Sequence, residues 1–279
     1  MKNSDVKNSD LLKKLKTFGY LRLKSFVNPE DLSQLQSNFS KDLKETLHID
    51  LSIPVSESLR GTWRVPGMNP IMRNLKESYA LVSIEEQIKN KVNGIFDSNL
   101  WGTQELWYSL LSMPGIPIEN WHIPKGSWHA DEPGFQGEDL PWSYFVFIFL
   151  DKVEHKGGGT FIISGTHHHA QRLAEESHLY DESLVLEFKD RFGQKTNLLT
   201  QRALFPHTEL YKKLCSEEPW FKGEELSSFK SHMGIEHELI ELTGDPGDIV
   251  ILDPRGLHSV SEIANGRPRQ VLRMDLHRI

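Results

Sequence analysis

The sequence predicts a mainly β domain with added helices, and three observations carry that prediction. From Leu106 onward the apolar residues fall in strand-like runs. The clearest is Tyr144-Phe145-Val146-Phe147-Ile148-Phe149-Leu150, apolar on both faces as expected of a strand in the middle of a fold. Helical spacing is concentrated upstream, between about residues 7 and 99. The side chains best suited to hold a metal are His129 and Asp131 in one segment and His258 far downstream, a separation that the mouth of a barrel accommodates.

In chain order, Leu11-Leu12-Lys13-Lys14-Leu15 marks a short amphipathic helix. Asn28 caps a second, with Pro29 at its first position and Leu32, Leu35, Phe39 and Leu43 on one face. Ser83 and Glu86 form a capping box for a third, whose Ile84, Ile88, Val92 and Ile95 recur at helical spacing and read as core. These helices are expected to cover the outer face of the barrel. His167-His168-His169 reads as a solvated loop and helix start in preference to a metal site. The stretch from Ala170 to His237 is longer than ordinary connections. It predicts a helical insertion or an active-site lid over about residues 170–235, with Leu210, Leu214 and Trp220 suggesting a helix inside it.

A length of 279 residues with 38% hydrophobic content fits one domain, residues 1–279, around one substantial core. The formal net charge of −7 argues against nucleic acid or an anionic membrane surface as partner and leaves a small-molecule substrate; no oligomeric state follows from it. Cys215, the single cysteine, cannot form an internal disulfide or a zinc-thiolate site, which points to a reducing compartment. No stretch is long and apolar enough to span a membrane, and Met1-Lys2-Asn3-Ser4-Asp5 leads into no signal-peptide core, so the expected location is cytoplasmic.

In an extended segment alternate side chains point the same way, so His129 and Asp131 can face one metal while Ala130 points off. With His258 they make two imidazoles and one carboxylate on one face of a metal, the arrangement of non-haem Fe(II) oxygenases, which leaves positions open for substrate and O2. An H-x-D pair alone occurs by chance as solvated surface. Its neighbours here give it weight: Trp128 before it, the Gly157-Gly158-Gly159-Thr160 turn, and Gly247-Asp248 on the approach to His258. Arg269, eleven residues beyond His258, starts the plausible strand Gln270-Val271-Leu272-Arg273-Met274 and could clamp a carboxylate bidentately. Two rivals stand beside it: Arg267, in the turn-like Asn265-Gly266-Arg267-Pro268, and Arg273, which shares the face of Arg269 under strict alternation.

Several segments together resemble the phytanoyl-CoA dioxygenase family. They are Trp128-His129-Ala130-Asp131, the run from Gly157 through Thr160 to Ser164-Gly165-Thr166-His167, and Gly247-Asp248-Ile249-Val250 leading to His258 and Arg269. Phe18-Gly19-Tyr20-Leu21-Arg22-Leu23 followed by Val27-Asn28-Pro29-Glu30-Asp31-Leu32 is similar to that family's opening strand and helix, so the likeness spans nearly the whole chain. The resemblance implies a double-stranded β-helix (jelly-roll, cupin-like) core and an Fe(II)- and 2-oxoglutarate-dependent dioxygenase that consumes O2, with hydroxylation as the usual outcome. It implies His129, Asp131 and His258 as metal ligands and Arg269 as the 2-oxoglutarate anchor. Phe147 stands as a second cosubstrate position, where family members often carry Trp; Val260 stands where they often carry Ser. Relatives that halogenate have a small residue in place of the carboxylate, so Asp131 argues against that reaction.

Candidate substrate residues are Arg60, Arg64, Trp107, His122, Glu132 and Gln136, the last two just beyond the metal carboxylate. Trp63, Tyr108 and Trp121 add recognition-type side chains nearby. The expected reaction is hydroxylation of an aliphatic carbon of a small metabolite with release of succinate and CO2. The alternatives are desaturation or cyclisation at the same centre, and a non-catalytic jelly-roll protein that binds a metal or ligand without turnover.

Overall fold

Leu11 and Leu15, one helical turn apart, are the residues that α1 (Asn8–Phe18) buries, and Gly19 ends the helix in the left-handed conformation at φ 76°. A side chain at Gly19 would also collide with the His167 ring, its Cβ falling 2.5 Å from Nδ1. The computed structural model describes residues 7–52, 59–62, 65, 73–124, 127–132, 139–175, 185–189, 195–199, 229–230 and 236–279. After β1 (Tyr20–Leu23), helix α2 (Pro29–Thr46) starts as the sequence predicts. The Asn28 side-chain oxygen accepts the Asp31 N–H at 2.9 Å, Pro29 opens the helix, and Leu35, Phe39 and Leu43 are buried. The single turn α3 (Arg73–Lys76) is fixed to α2 by buried Asp42, whose carboxylate accepts the N–H groups of Asn74 and Leu75, each at 2.9 Å.

Helix α4 (Tyr79–Phe96) departs from expectation at its start. Its N-cap is Ser78, and Ser83 lies inside the helix, its hydroxyl accepting from the Gln87 amide at 3.0 Å. The cause is that Ala80 and Leu81 are also buried, extending upstream the stripe that Ile84, Ile88, Val92 and Ile95 form as predicted.

The strands follow as β2 (Trp101–Ser112), β3 (Ser143–Phe149) and β4 (Phe161–Ile163); β2 begins upstream of the Leu106 boundary that the sequence suggests. Next come α5 (His167–Glu175), the hairpin β5 (Val185–Lys189) and β6 (Lys195–Leu199), and the short pair β7 (Phe229–Lys230) and β8 (Glu236–His237). Finally β9 (Leu239–Glu241), β10 (Ile249–Leu252), β11 (His258–Ser259) and β12 (Arg269–Arg278) complete the chain. The segment expected as a helical insertion or lid thus contains the end of α5 and the antiparallel β5–β6 pair; Leu210, Leu214, Cys215 and Trp220 lie outside the described residues.

Two antiparallel sheets form a jelly roll. The larger runs β1-β10-β3-β12-β2 and the smaller β11-β4-β9, extended at one edge by a bridge between His129 and His258. Strand β3 is buried along its whole length and its alternation sorts its side chains. Tyr144, Val146 and Ile148 join Ile249, Ile251, Leu272, Met274 and Leu276 in a core under the helices. Phe145, Phe147 and Phe149 turn inward with Val250, Leu252 and Val271, meeting Ile162 and Leu242 from the smaller sheet. Phe161, Ile163 and Leu239 pack outward with Trp128, Ala130 and Leu257. No helix among the described residues is long and apolar enough to cross a membrane.

The histidine run starts α5 as expected, but it is not solvated: His167 and His169 are buried. His167 Nε2 bonds the Lys16 carbonyl at 2.9 Å and His169 meets His237 ring to ring at 2.9 Å between Nε2 atoms, so tertiary contact with α1 and β8 absorbs them.

Candidate metal centre

His129 and His258 are hydrogen-bonded neighbours across two chain segments, with His129 N–H to the His258 carbonyl at 3.0 Å and the reverse bond at 2.9 Å. Each ring then faces a backbone acceptor through Nδ1, His129 toward Ser127 O at 2.9 Å and His258 toward Gly256 O at 3.0 Å. A carbonyl can only accept, so Nδ1 carries a proton in each ring, and in the neutral imidazole Nε2 is then the atom with the lone pair, the tautomer that a metal-ligating histidine needs. Both Nε2 atoms converge on Asp131: His129 Nε2 is 3.8 Å from Oδ1 and His258 Nε2 is 3.4 Å from Oδ2. One ligand atom from each of the three residues lies within 4.8 Å of the others.

Asp131 is held in place from behind. Its N–H bonds the Pro254 carbonyl at 2.9 Å, so the loop that delivers His258 also seats the carboxylate. That loop is stiffened by the buried Asp253–Arg255 ion pair at 2.7 Å and tied to α1 by the bond from Asp253 N–H to Gly19 O at 2.8 Å. Burial works to raise the Asp131 carboxyl. With the two imidazoles protonated, a hydrogen bond from His258 and the charges of His258, His129 and Arg273 outweigh it and pull the value down to about 2, so the group is an anion; a bound cation in place of those protons would act in the same direction. A neutral imidazole pair plus one carboxylate is a donor set that suits Fe(II).

The three residues open on a cavity of about 740 Å³ whose walls include Leu110, Phe145, Phe147, Val260 and Thr160, with Arg269 and Arg273 as its cations among the described lining residues. Arg269, the first residue of β12, is buried and donates from Nη2 to Thr160 Oγ1 at 3.2 Å; its Nε has no partner among the described residues. Burial lowers its pKa to about 10, with Glu241 opposing, so it stays protonated at neutral pH. A buried guanidinium with a donor unused, facing a cavity, is what an anchor for a carboxylate requires. Thr160 reaches it because Gly159 lets the chain pass Glu241; a Cβ at Gly159 would sit 2.7 Å from Glu241 Cγ. The rivals part company: Arg267 lies on the exposed turn, its N–H on Asn265 Oδ1 at 3.1 Å, while Arg273 lines the cavity and is paired with Asp275.

Of the substrate candidates, Arg64 and Gln136 lie outside the described residues, as does Trp63. Trp107 is turned away from the cavity: alternation on β2 sends it into the helix-side core, where its indole N–H donates to Glu85 at 2.7 Å. Arg60 is exposed, and His122 is exposed with Nδ1 on the Ile123 carbonyl at 2.9 Å; neither lines the cavity. Glu132 points away from the metal residues and accepts from Trp142 N–H at 3.0 Å and from the Ser143 hydroxyl, burial pushing its carboxyl up to about 7. Phe147 does line the cavity. Sequence reasoning missed Thr160 as the partner of Arg269, although the three glycines before it signal a close backbone approach.

No protein-family model matches the sequence, and no curated protein matches it. Solved structures do. AviO1 from Streptomyces viridochromogenes Tue57 is 12% identical with a TM-score of 0.55, over 99% of this chain and 96% of that one. SnoK, a non-heme alpha ketoglutarate dependent carbocyclase from nogalamycin biosynthesis, is 11% identical with a TM-score of 0.53, over 99% and 87%. EctD from S. alaskensis, crystallised with 2-oxoglutarate and 5-hydroxyectoine, is 12% identical with a TM-score of 0.52, over 100% and 78%. At these identities the likeness establishes the fold.

Proposed function

We propose that this chain is a single-domain Fe(II)- and 2-oxoglutarate-dependent oxygenase of the phytanoyl-CoA dioxygenase kind. In this reading it hydroxylates an aliphatic carbon of a small metabolite and releases succinate and CO2. The observation that carries the reading is the convergence of two Nε2 lone pairs and the Asp131 carboxylate on a cavity that also holds the buried Arg269 guanidinium. Support from the fold comes through SnoK, described as alpha ketoglutarate dependent, and EctD, crystallised with 2-oxoglutarate.

His129, Asp131 and His258 would hold the metal. Iron bound there, with 2-oxoglutarate and O2 as cosubstrates, supplies the oxidising power for attack on a C–H bond. Arg269 pairs the far carboxylate of the keto acid, and Thr160 keeps the guanidinium aimed. Leu110, Phe145, Phe147 and Val260 exclude water from the space where the substrate carbon sits, and the position of that carbon decides the outcome. A second outcome deserves a place beside hydroxylation, because SnoK is a carbocyclase: cyclisation on the same ligand set.

Anaerobic addition of Fe(II) and then 2-oxoglutarate should raise the weak visible charge-transfer band of a keto acid chelated to iron. Its absence from folded protein would favour a non-catalytic jelly roll.

A further inference from the structure

We infer that Arg273 is a second anion station in the cavity and that the substrate carries a carboxylate held there; this rests on the oxygenase reading above. The two arginines stand four residues apart on the inward face of β12, roughly 13 Å between their Cα atoms at about 3.3 Å per strand residue. They are committed differently. Arg269 is fixed by Thr160, whereas Arg273 is fixed by Asp275, which takes Nε at 2.8 Å and one hydrogen of Nη2 at 2.9 Å. Both Nη1 hydrogens and one on Nη2 carry no hydrogen bond among the described residues, and one from each nitrogen makes the second fork of the guanidinium.

Aromatic rings hold that fork still. The guanidinium carbon lies 4.5 Å from the Tyr108 ring centre and 4.1 Å from that of Phe145. A weakly hydrated cation between two rings gives up little water when a planar carboxylate docks on its free edge. Position matters as much. Phe145 also stands edge-on to His258 at 6.4 Å between ring centres, so an anion on Arg273 is one ring away from the metal residues. Charge points the same way: Fe(II), Asp131, dianionic 2-oxoglutarate and Arg269 balance one another. Arg273 is then the remaining cation among the described lining residues, ion-paired with an Asp275 that does not line the cavity and felt also by Asp131. A cationic substrate would meet a guanidinium; an anionic one meets a prepared fork.

The test uses 4-fluorobenzoate and its neutral counterpart 4-fluorobenzamide as ¹⁹F NMR probes of protein loaded with Co(II) and saturating 2-oxoglutarate. The carboxylate should bind about tenfold more tightly than the amide, the scale of one charge-assisted hydrogen-bond pair, and its signal should broaden relative to a Zn(II)-loaded control. Arg273→Gln should erase that preference while leaving 2-oxoglutarate affinity within about twofold. Asp275→Asn, which removes the competing carboxylate, should strengthen it. Equal binding of the two probes, or a preference that survives Arg273→Gln, overturns the inference, and so does loss of 2-oxoglutarate affinity in that variant, which would make Arg273 the cosubstrate anchor. If folded wild-type protein takes up neither Co(II) nor 2-oxoglutarate, the oxygenase reading falls and this inference with it; if it takes up both without discriminating the probes, only this inference falls.

Discussion

The two faces of β12 differ in what they leave unsatisfied. Outward, Leu272, Met274 and Leu276 are completely buried against the helices, in a layer built from aliphatic and aromatic contact. Inward, Arg269, Arg273 and Asp275 alternate with them, all three at least largely buried, yet the two arginines line a cavity and Asp275 pairs with one of them. Burial alone does not distinguish the faces; the number of polar groups without a fixed partner does. The outer face is finished when the chain folds, whereas the inner face keeps donors in reserve.

That separation can be broken by experiment. The largest effect belongs to Asp131→Ala: metal affinity, followed by Co(II) absorption, should fall by more than about 100-fold, beyond the range seen for outer partners of metal sites, with turnover lost and the melting temperature nearly unchanged. A variant that keeps its activity would remove Asp131 from the centre. On the opposite face Leu272→Ala should cost about 2–5 kcal/mol in urea unfolding while the folded fraction still binds Co(II) normally. Comparable loss of metal binding there would mean that the two faces are not independent. Returning inward, Arg269→Ala should raise the 2-oxoglutarate requirement about 10- to 100-fold, the scale of one charge-assisted hydrogen bond, with the metal affinity intact.

The smallest expected effect sharpens the contrast from outside either face. Burial holds His167 at about 4, below its ordinary 6.5, so the imidazole is neutral in the folded chain. The unfolded chain therefore binds the proton first, and stability present above pH 6.5 is lost as pH falls toward about 4. The loss should be on the order of 1–3 kcal/mol. His167→Gln should flatten that part of the acid limb in melting experiments, while parallel curves for variant and wild type would show that His167 does not drive it.

How much of this was legible in the chain depends on whether the signal was local. The α2 cap, the both-faces-apolar β3 and the H-x-D pair are set by neighbours in sequence, and each stands where its pattern places it. Arg269 could be singled out from Arg267 because an Asn-Gly turn is a local signal, but its separation from Arg273 rests on Thr160 and Asp275, one of them 109 residues away. The histidine run failed for the same reason: three polar residues in a row read as solvated, and only distant partners, the Lys16 carbonyl for His167 and the His237 ring for His169, accompany the burial of two of them. Trp107 shows a third kind of difficulty. One register step on β2 separates it from Tyr108, and that step decides between the helix core and the face that meets Arg273.

The paired backbone bonds between His129 and His258 bear on how long a metal would stay. Two ligands that are strand neighbours keep their backbones in register, while their side chains differ in access to water: His129 is 37% exposed and Asp131, just past the bridge, 29%, against 8% for His258. In kinetic terms water reaches the arms of His129 and Asp131 before that of His258, which makes His258 the last to let go. Asp131→Glu should accordingly change the rate of Co(II) release to a chelator more than it changes the melting temperature. The residence time of the metal is thus written into one loop, and the permanence of its site into a strand.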